Sequence, residues 1–289
     1  VFLPFVWPNL LMASARCIQV FSNYHIAVTM LYRGQDLPTS FPPWHYLPVW
    51  IGITTPVVIL ILFIASGIFL FRRNGISEAL ILWSTVLFPW ILILVLHSPV
   101  YDAWRQFFFI YPPMVVLAGM AAAAAFKRIS NQKTEVAFAG ILILSFIPST
   151  VWSIRNHPLE GVYFNELVGG VDGAFGHYEM DFYGESVELA TQKLLRQRAF
   201  KKPLKDSVFV LANVPTQINY YLHRYDPKIS VHHAAFEQRD SLKWNYGIFY
   251  SRGLDGILQR KDWPPKGMID SVVIGRTIIM AIVKNPKSD

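Results

Sequence analysis

The sequence predicts a polytopic α-helical membrane region followed by a small extracytoplasmic α/β domain. Two observations support this fold class. Charged side chains are sparse up to residue 154, with 12 among 154 residues, and frequent afterwards, with 33 among the remaining 135. Long uncharged runs fill the first part, whereas short apolar stretches alternate with polar ones in the second. A single soluble core would not require such a change in charge density.

Four runs without Lys, Arg, Asp or Glu cover residues 37–71, 79–101, 106–126 and 136–154 and are 35, 23, 21 and 19 residues long. A helix that crosses a bilayer needs about 20 apolar residues, so each run can hold one span. We expect full spans near residues 49–71, 79–96, 107–126 and 136–154. Residues 57–70 offer no polar face at helical spacing, which argues against a buried helix of a soluble protein.

The start of the chain predicts a truncated span and a surface helix. Val1 to Met12 is apolar and lacks both the basic leader and the small-residue cleavage site of a signal peptide. We therefore expect a C-terminal fragment of a longer polytopic protein. Arg16 to Arg33 follows with apolar residues three or four apart, which predicts an amphipathic helix on the outer membrane surface.

Prolines mark two irregular segments. Leu37 to Pro48 contains four prolines and adjacent aromatic residues, which predicts an ordered, extended loop at the membrane interface. In the third span the aliphatic part is short, so the aromatic residues 107–111 must contribute to it. Pro112 and Pro113 lie between the two parts and predict a kink or a half-helix near the outer surface.

Basic residues predict the orientation. Arg72 and Arg73 lie in one short loop, and Lys127, Arg128 and Lys133 lie in another. Short cytoplasmic loops are enriched in Lys and Arg, so residues 13–48, the 97–106 loop and everything after residue 155 share the extracytoplasmic side. The lack of an N-glycosylation sequon favours a bacterial source. We expect an inner-membrane protein with a periplasmic C-terminal domain.

The charged part of the chain divides into a connection and a domain. Residues 155–184 are rich in glycine and aromatic residues without a clear period. Residues 185–289 predict the α/β domain, because helical and strand patterns alternate. We expect a helix over Glu185 to Ala199 with Ser186 as its cap, and strands over 207–212, 229–232, 247–250, 271–274 and 277–283. Gly275-Arg276 predicts a hairpin turn between the last two strands.

A candidate site lies in the 97–106 loop. Asp102 and Arg105 are three residues apart, which places them on one face of a helix, with His97, Tyr101 and Trp104 nearby. Ionisable groups at the edge of the hydrocarbon are costly. An arginine offers a planar fork to a phosphate, and aromatic residues can hold an isoprenoid chain or a sugar ring. The alternative is an ion pair that only anchors the helix.

The loop around Trp44, His45 and Tyr46 lies on the same predicted side. His45 and His97 are candidates for acid/base work or phosphate binding, and Trp44 is a candidate substrate contact. The alternative is an interfacial aromatic belt.

Other chemistries fit less well. Asp172, Glu179 and Asp181 match no metal-loop spacing, so we assign no metal ligands and leave a divalent cation open as a cofactor. Gly169 to Gly176 lacks the strand and the Lys-Ser/Thr pair of a nucleotide-binding loop. The net charge of +7 is divided between predicted membrane anchors and a mixed-charge domain, so nucleic acid is not an expected partner.

Three segments resemble a known family. They are LYRGQDLPTSFPPWHYLPVWIGITTP (Leu31 to Pro56), HSPVYDAWRQFFFIYPP (His97 to Pro113) and HPLEGVYFNELVGGVDGAFGHYEMDFYGES (His157 to Ser186). They are similar to bacterial polytopic glycosyltransferases of the C-type superfamily, such as protein O-mannosyltransferases and aminoarabinose lipid A transferases. The resemblance covers nearly all of residues 16–200.

The resemblance implies transfer of a sugar from a polyprenyl-phosphate donor to a lipid, glycan or protein acceptor at the extracytoplasmic surface. Arg105 matches a family position that neutralises the donor phosphate, with His97, Tyr101 and Asp102 in support. The family's general base lies in the first outer loop, outside this sequence. A non-catalytic protein that binds or scaffolds lipid-linked glycans is the alternative. A transporter is a weaker one, since no span contains a charge.

Overall fold

The computed structural model describes residues 9, 12–16, 29–40, 42–70, 76–197, 200, 204 and 206–286. Of the predicted truncated span, residues 1–12, the structure describes only residues 9 and 12. Of the predicted amphipathic helix, residues 16–33, it describes only residues 16 and 29–33.

A β-hairpin replaces the end of the predicted amphipathic helix. Strand β1 (Thr29–Tyr32) pairs antiparallel with β2 (Gln35–Pro38), and Arg33 and Gly34 form the turn with φ values of 53° and 78°. The helix prediction is therefore wrong over residues 29–33. Apolar spacing alone is misleading here, because three consecutive residues of β1 are buried, as in a strand covered on both faces. Positive φ at both turn positions is typical of a tight hairpin.

The apolar part contains three helical stretches long and apolar enough to cross a membrane, among the residues described: Glu78–Leu96, Arg105–Phe126 and Gln132–Asn156. They belong to α3 (Ile76–Leu96), to a 3-10 segment (Arg105–Ile110) continued by α4 (Tyr111–Phe126), and to α5 (Gln132–Ser145) continued by α6 (Ile147–Asn156). Pro112 and Pro113 lie in the first turn of α4. The N–H groups of a first turn have no intrahelical acceptor, so proline costs no helical hydrogen bond there. The sequence predicted a kink or a half-helix at these prolines, and the chain changes from 3-10 to α-helical geometry just before them, at Tyr111.

The first predicted full span is divided. Residues Tyr46–Thr54 form α1 and Val57–Leu70 form α2, with an extended Thr55 between them. The structure thus has three long apolar stretches and this divided one, where the sequence predicted four full spans. Pro56 accounts for the break, because it has no N–H to donate and disfavours helical backbone in the preceding residue.

The apolar helices pack to different degrees. Helix α4 contacts both α2 and α3, and its buried side includes Met114, Leu117, Ala118 and Ala121. By contrast, α5 and α6 contain no buried residue. Their apolar side chains are largely exposed, which suits contact with lipid or with another protein surface.

The charged part begins with the connection and continues into the α/β domain. The connection contains two short 3-10 turns and helix α7 (Gly170–Ala174), and α8 (Glu185–Leu195) follows. The remaining elements are β3 (Val208–Ala212), α9 (Pro215–Tyr225), β4 (Ile229–His233), β5 (Tyr246–Tyr250), α10 (Gly256–Lys261), β6 (Met268–Ile274) and β7 (Thr277–Lys284). The predicted α/β domain is confirmed.

One five-stranded sheet organises this domain, with the strand order β4-β3-β5-β7-β6. Strands β4, β3 and β5 are parallel, whereas β7 runs antiparallel to both β5 and β6. Helices α8 and α9 pack on one side of the sheet. A second apolar cluster, built around Phe236, Trp244, Phe249 and Leu254, lies beside it. The predicted hairpin turn at Gly275-Arg276 is present.

Candidate functional site

The 97–105 loop holds the predicted ion pair in an irregular backbone. Asp102 and Ala103 both have positive φ, at 55° and 59°, which costs of order 1–3 kcal/mol for residues other than glycine. Trp104 stabilises the loop by donating its indole N–H to the Thr54 hydroxyl at 2.8 Å. Asp102 is therefore not on a helical face, and the helix begins only at Arg105.

Asp102 is the centre of a buried ionic cluster. One carboxylate oxygen pairs with Nη2 of Arg105 at 2.7 Å, and the other pairs with Nη2 of Arg252. Arg252 also lies 3.7 Å from the Glu179 carboxylate through its Nε and donates to the Phe182 carbonyl at 3.1 Å. We call Asp102, Arg105, Glu179 and Arg252 the Asp102 cluster. It joins the 97–105 loop, the connection and the α/β domain.

Glu179 is a largely buried acid of the cluster with a raised pKa. Its side chain is 12% exposed, and its Oε2 atom has no hydrogen-bond partner in the described part of the chain. Burial raises the pKa of this carboxyl to about 7, since the opposing influence of Arg252 is smaller and Asp102 adds to the rise. A carboxyl group that titrates near neutrality in a charged cluster is typical of functional sites, although structural ion pairs also produce it.

Arg105 faces outward from the cluster. Its side chain is 31% exposed, and its guanidinium carbon lies 5.3 Å from the centre of the Tyr101 ring. Asp102 occupies Nη2, so the remaining N–H groups of Arg105 are available to an anion from outside. A guanidinium fixed by a carboxylate and an aromatic ring is well suited to bind a phosphate, because its orientation is already set.

The other predicted site residues lie elsewhere. Nδ1 of His45 is 2.6 Å from the Tyr32 hydroxyl, and the exposed Trp44 accepts the Trp90 indole N–H at its carbonyl at 2.9 Å. His97 is exposed at the end of α3. No hydrogen bond or ion pair among the described residues joins Trp44, His45 or His97 to the Asp102 cluster. The structure thus brings together Tyr101, Asp102 and Arg105.

Glu179 and Arg252 were not predicted as partners of this site. Arg252 follows the buried strand β5, at the edge of the sheet where parallel strands end and functional side chains commonly gather. That position is the only local signal in the sequence. No spacing rule links Arg252 to Asp102, which lies 150 residues earlier.

The three acids considered for a cation have separate structural roles. The Asp181 carboxylate caps α8 by accepting from the backbone N–H of Glu185 at 2.7 Å and of Ser186 at 3.1 Å. The predicted cap, Ser186, instead donates its hydroxyl to Asp181. Asp172 holds the β6–β7 turn by accepting from Thr277 at 2.7 Å. Within the described residues, no three His, Cys, Asp or Glu side chains converge on a metal position.

The structure has two adjoining cavities, and the 97–105 loop lines the first of them through Trp104. The first has a volume of about 590 Å³ and a mixed lining that includes Thr54, Trp104, Phe108, Tyr111 and Glu160. The second, of about 580 Å³, is an apolar groove between α2 and α5. Pro56, Ser149 and Tyr163 line both. The pair therefore combines a hydroxyl-bearing end with an apolar end, as an amphiphilic ligand requires.

Comparison with protein families, curated proteins and solved structures found no match to this chain.

Proposed function

We propose that this protein is a membrane glycosyltransferase that moves a sugar from a polyprenyl-phosphate donor to an extracytoplasmic lipid, glycan or protein acceptor. In this proposal the chain lies in a bacterial inner membrane, with the α/β domain in the periplasm. The observation that carries the proposal is the pair of adjoining cavities, because the first has several hydroxyl groups and a glutamate in its lining and the second is apolar. The similarity of three sequence segments to C-type glycosyltransferases supports it.

The apolar groove suits the donor's hydrocarbon tail. Val57, Ile61, Phe138 and Ile141 line it, and they belong to helices α2 and α5, which carry little charge. A polyprenyl chain bound there would leave its phosphate and sugar near the cavity lined by Thr54, Trp104 and Tyr111. Burial of the tail would supply binding energy without direct contact with the reacting atoms.

The proposed role of Arg105 is to stabilise the departing phosphate. When the bond between sugar and phosphate breaks, negative charge develops on the phosphate oxygens. A guanidinium in a partly dry site stabilises this charge more strongly than one in water, and pre-orientation by Asp102 removes a cost of rearrangement. Arg105 does not itself line the first cavity, but it directly follows Trp104, which does. The proposal assigns no catalytic base to this chain.

The test is Arg105→Ala in the whole protein, produced in bacterial membranes. Membranes are supplied with radiolabelled polyprenyl-phosphate sugars, and the label that leaves the lipid donor is measured. We expect transfer to fall by about 100-fold or more, as for loss of one group that stabilises transition-state charge. Arg105→Lys keeps the charge without the fork and should recover only part of the rate.

Arg155→Ala is the matched control, because Arg155 is exposed at the end of an apolar helix and forms no ion pair among the described residues. It should leave transfer unchanged. Normal transfer in Arg105→Ala, at equal protein levels in the membrane, would rule out the assigned role. If the unaltered protein binds the labelled donor but never releases its sugar, the non-catalytic alternative replaces the proposal.

A further inference from the structure

A second cleft lies on the α/β domain and shares no lining residue with the cavities described above. Its volume is about 770 Å³, within the range of cavities that bind small molecules. Three segments form its walls: residues 239–244 before β5, residues 261–267 between α10 and β6, and residues 283–286 at the end of β7. We call it the edge cleft.

Two tryptophans line the edge cleft, with Trp244 buried at its base and Trp263 partly exposed. The Trp244 indole N–H donates to the Arg239 carbonyl at 2.7 Å, and the Trp263 indole N–H donates to the Ile278 carbonyl at 2.8 Å. Both polar atoms are therefore satisfied by the protein itself, and the two rings are held in place. Trp244 is only 7% exposed and belongs to the second apolar cluster, so the partly buried Trp263 is the ring that offers apolar surface to a ligand.

Charged side chains line the edge cleft beside these rings. Arg239, Lys261 and Lys266 contribute positive charge, and Asp240 and Asp262 contribute negative charge. Lys261 and Lys266 are exposed and form no ion pair within the part of the chain that the structure describes. The lining therefore has both signs of charge, a small positive excess and two free ammonium groups.

We propose that the edge cleft binds an acidic saccharide. A sugar ring has C–H faces that pack on an indole, and it has hydroxyl groups that can both donate to carboxylates and accept from ammonium groups. A carboxylate or phosphate on the sugar would pair with the unpaired lysines. A ligand with only anionic groups would be repelled by the two aspartates in the lining. A purely apolar ligand would leave all five charged groups without a partner.

Direct binding tests this inference without any assumption about transfer activity. The whole chain, purified in detergent micelles, is titrated with digalacturonic acid and with the neutral disaccharide cellobiose, and binding is followed by tryptophan fluorescence and calorimetry. We expect digalacturonic acid to bind more tightly. In Lys261→Gln/Lys266→Gln its affinity should fall by about tenfold, as expected for loss of charge-assisted hydrogen bonds, while the weak affinity for cellobiose stays the same.

Lys127→Gln/Lys133→Gln removes two exposed charges far along the chain from the cleft and should change neither affinity. Trp263→Phe keeps an aromatic ring but reduces the stacking area, so it should weaken both ligands. The inference is overturned if neither disaccharide binds, or if the lysine variant keeps the full preference for the acidic one. Binding of phosphatidylglycerol vesicles through Lys261 and Lys266, without saccharide binding, would identify a membrane-contact surface instead.

Discussion

Arg252 neutralises two carboxylates that come from distant parts of the chain. Its guanidinium is 27% exposed, and its partners Asp102 and Glu179 are more deeply buried. A buried ion pair adds little net stability compared with apolar residues, but removal of one partner leaves an uncompensated charge. Arg252 therefore matters mainly because of what its loss would leave behind.

We expect Arg252→Ala to lower the free energy of unfolding by about 3–5 kcal/mol, the usual cost of breaking a buried ion pair. The measurement is detergent-induced unfolding in mixed micelles, followed by circular dichroism. Arg276→Ala is the matched control, because Arg276 also pairs with an aspartate but is 91% exposed. Its loss should cost less than about 1 kcal/mol. Equal costs for the two variants would contradict the importance of the Asp102 cluster.

Glu179 predicts a pH dependence of stability. In the unfolded chain a glutamate titrates near pH 4.5, whereas burial raises the pKa of Glu179 in the fold to about 7. Between these values the folded protein holds a proton that the unfolded chain has lost. The contribution of Glu179 is therefore complete below pH 4.5 and is lost as the pH rises through 7.

Glu179→Gln removes this titration. We expect the variant to be more stable than the unaltered protein above pH 7, and its unfolding midpoint to vary less between pH 4.5 and 7. The exposed Glu237 offers a control, since Glu237→Gln should preserve the original pH profile. An unchanged profile in Glu179→Gln would show that another group is responsible.

At this scale the sequence predicts local partners and misses distant ones. Asp102 and Arg105 were predicted to pair because they are three residues apart, and the pair forms even though the backbone at Asp102 is not helical. Glu179 and Arg252 join the same cluster through the fold of the sheet and the connection. A charged residue after a buried strand is predicted to lie at the edge of the sheet, but its ion-pair partner cannot be predicted from the sequence.

Among the elements, the break between α1 and α2 depends on one buried amide. The side-chain amide of Asn165 donates to the carbonyls of Gly52 and Thr55, each at 2.7 Å, and its backbone N–H donates to the Ile53 carbonyl at 2.8 Å. These carbonyls lose helical partners at Pro56. Asn165 thus satisfies acceptors that would otherwise be buried without a donor.

We expect Asn165→Ala to lower the free energy of unfolding by about 2–4 kcal/mol, because two buried acceptors lose their donor. Asn156→Ala is the control, since Asn156 donates only within its own helix, to the Trp152 carbonyl. It should cost about 1 kcal/mol or less. Both are measured as shifts in the detergent concentration at the unfolding midpoint. Equal shifts would mean that the break does not need Asn165.

Element prediction succeeded where one pattern had one explanation. The strands of the α/β domain and their final hairpin followed from short apolar runs and a glycine turn. The β1–β2 hairpin was missed because apolar residues three or four apart also occur in a short strand that is buried on both faces. The break at Thr55 was not predicted from the sequence, although Pro56 follows it. Hydropathy measures how apolar the side chains are and does not measure the loss of a backbone N–H donor at proline.

For the whole molecule, contacts place several segments at the same end of the helical region. Arg252 of the α/β domain reaches Asp102 in the 97–105 loop, and the backbone N–H of Val100 donates to the Thr39 carbonyl beyond the hairpin. Lys133 lies in the first turn of α5, which begins at Gln132. The proposed orientation assigns the first group to the periplasm and Lys133 to the cytoplasm.

Cysteine labelling checks this orientation. In a background with Cys17→Ser, single cysteines at the exposed positions Trp44, Lys243 and Lys133 are treated with an impermeant thiol reagent in intact cells. We expect labelling at positions 44 and 243, and at position 133 only after the cells are permeabilised, because short basic loops face the cytoplasm. Labelling of all three positions in intact cells, or of position 133 alone, would contradict the orientation.

Helices α5 and α6 have no buried residue, yet α5 forms one wall of the apolar groove. Few contacts within the described chain fix their tilt, so in the proposed membrane setting a mismatch with the hydrocarbon thickness could be accommodated by tilting. The width of the groove would then vary with the surrounding lipids. Under the proposed function, thin and thick bilayers would give the groove differently shaped entrances, and membrane composition would affect how readily the donor's tail enters from the side.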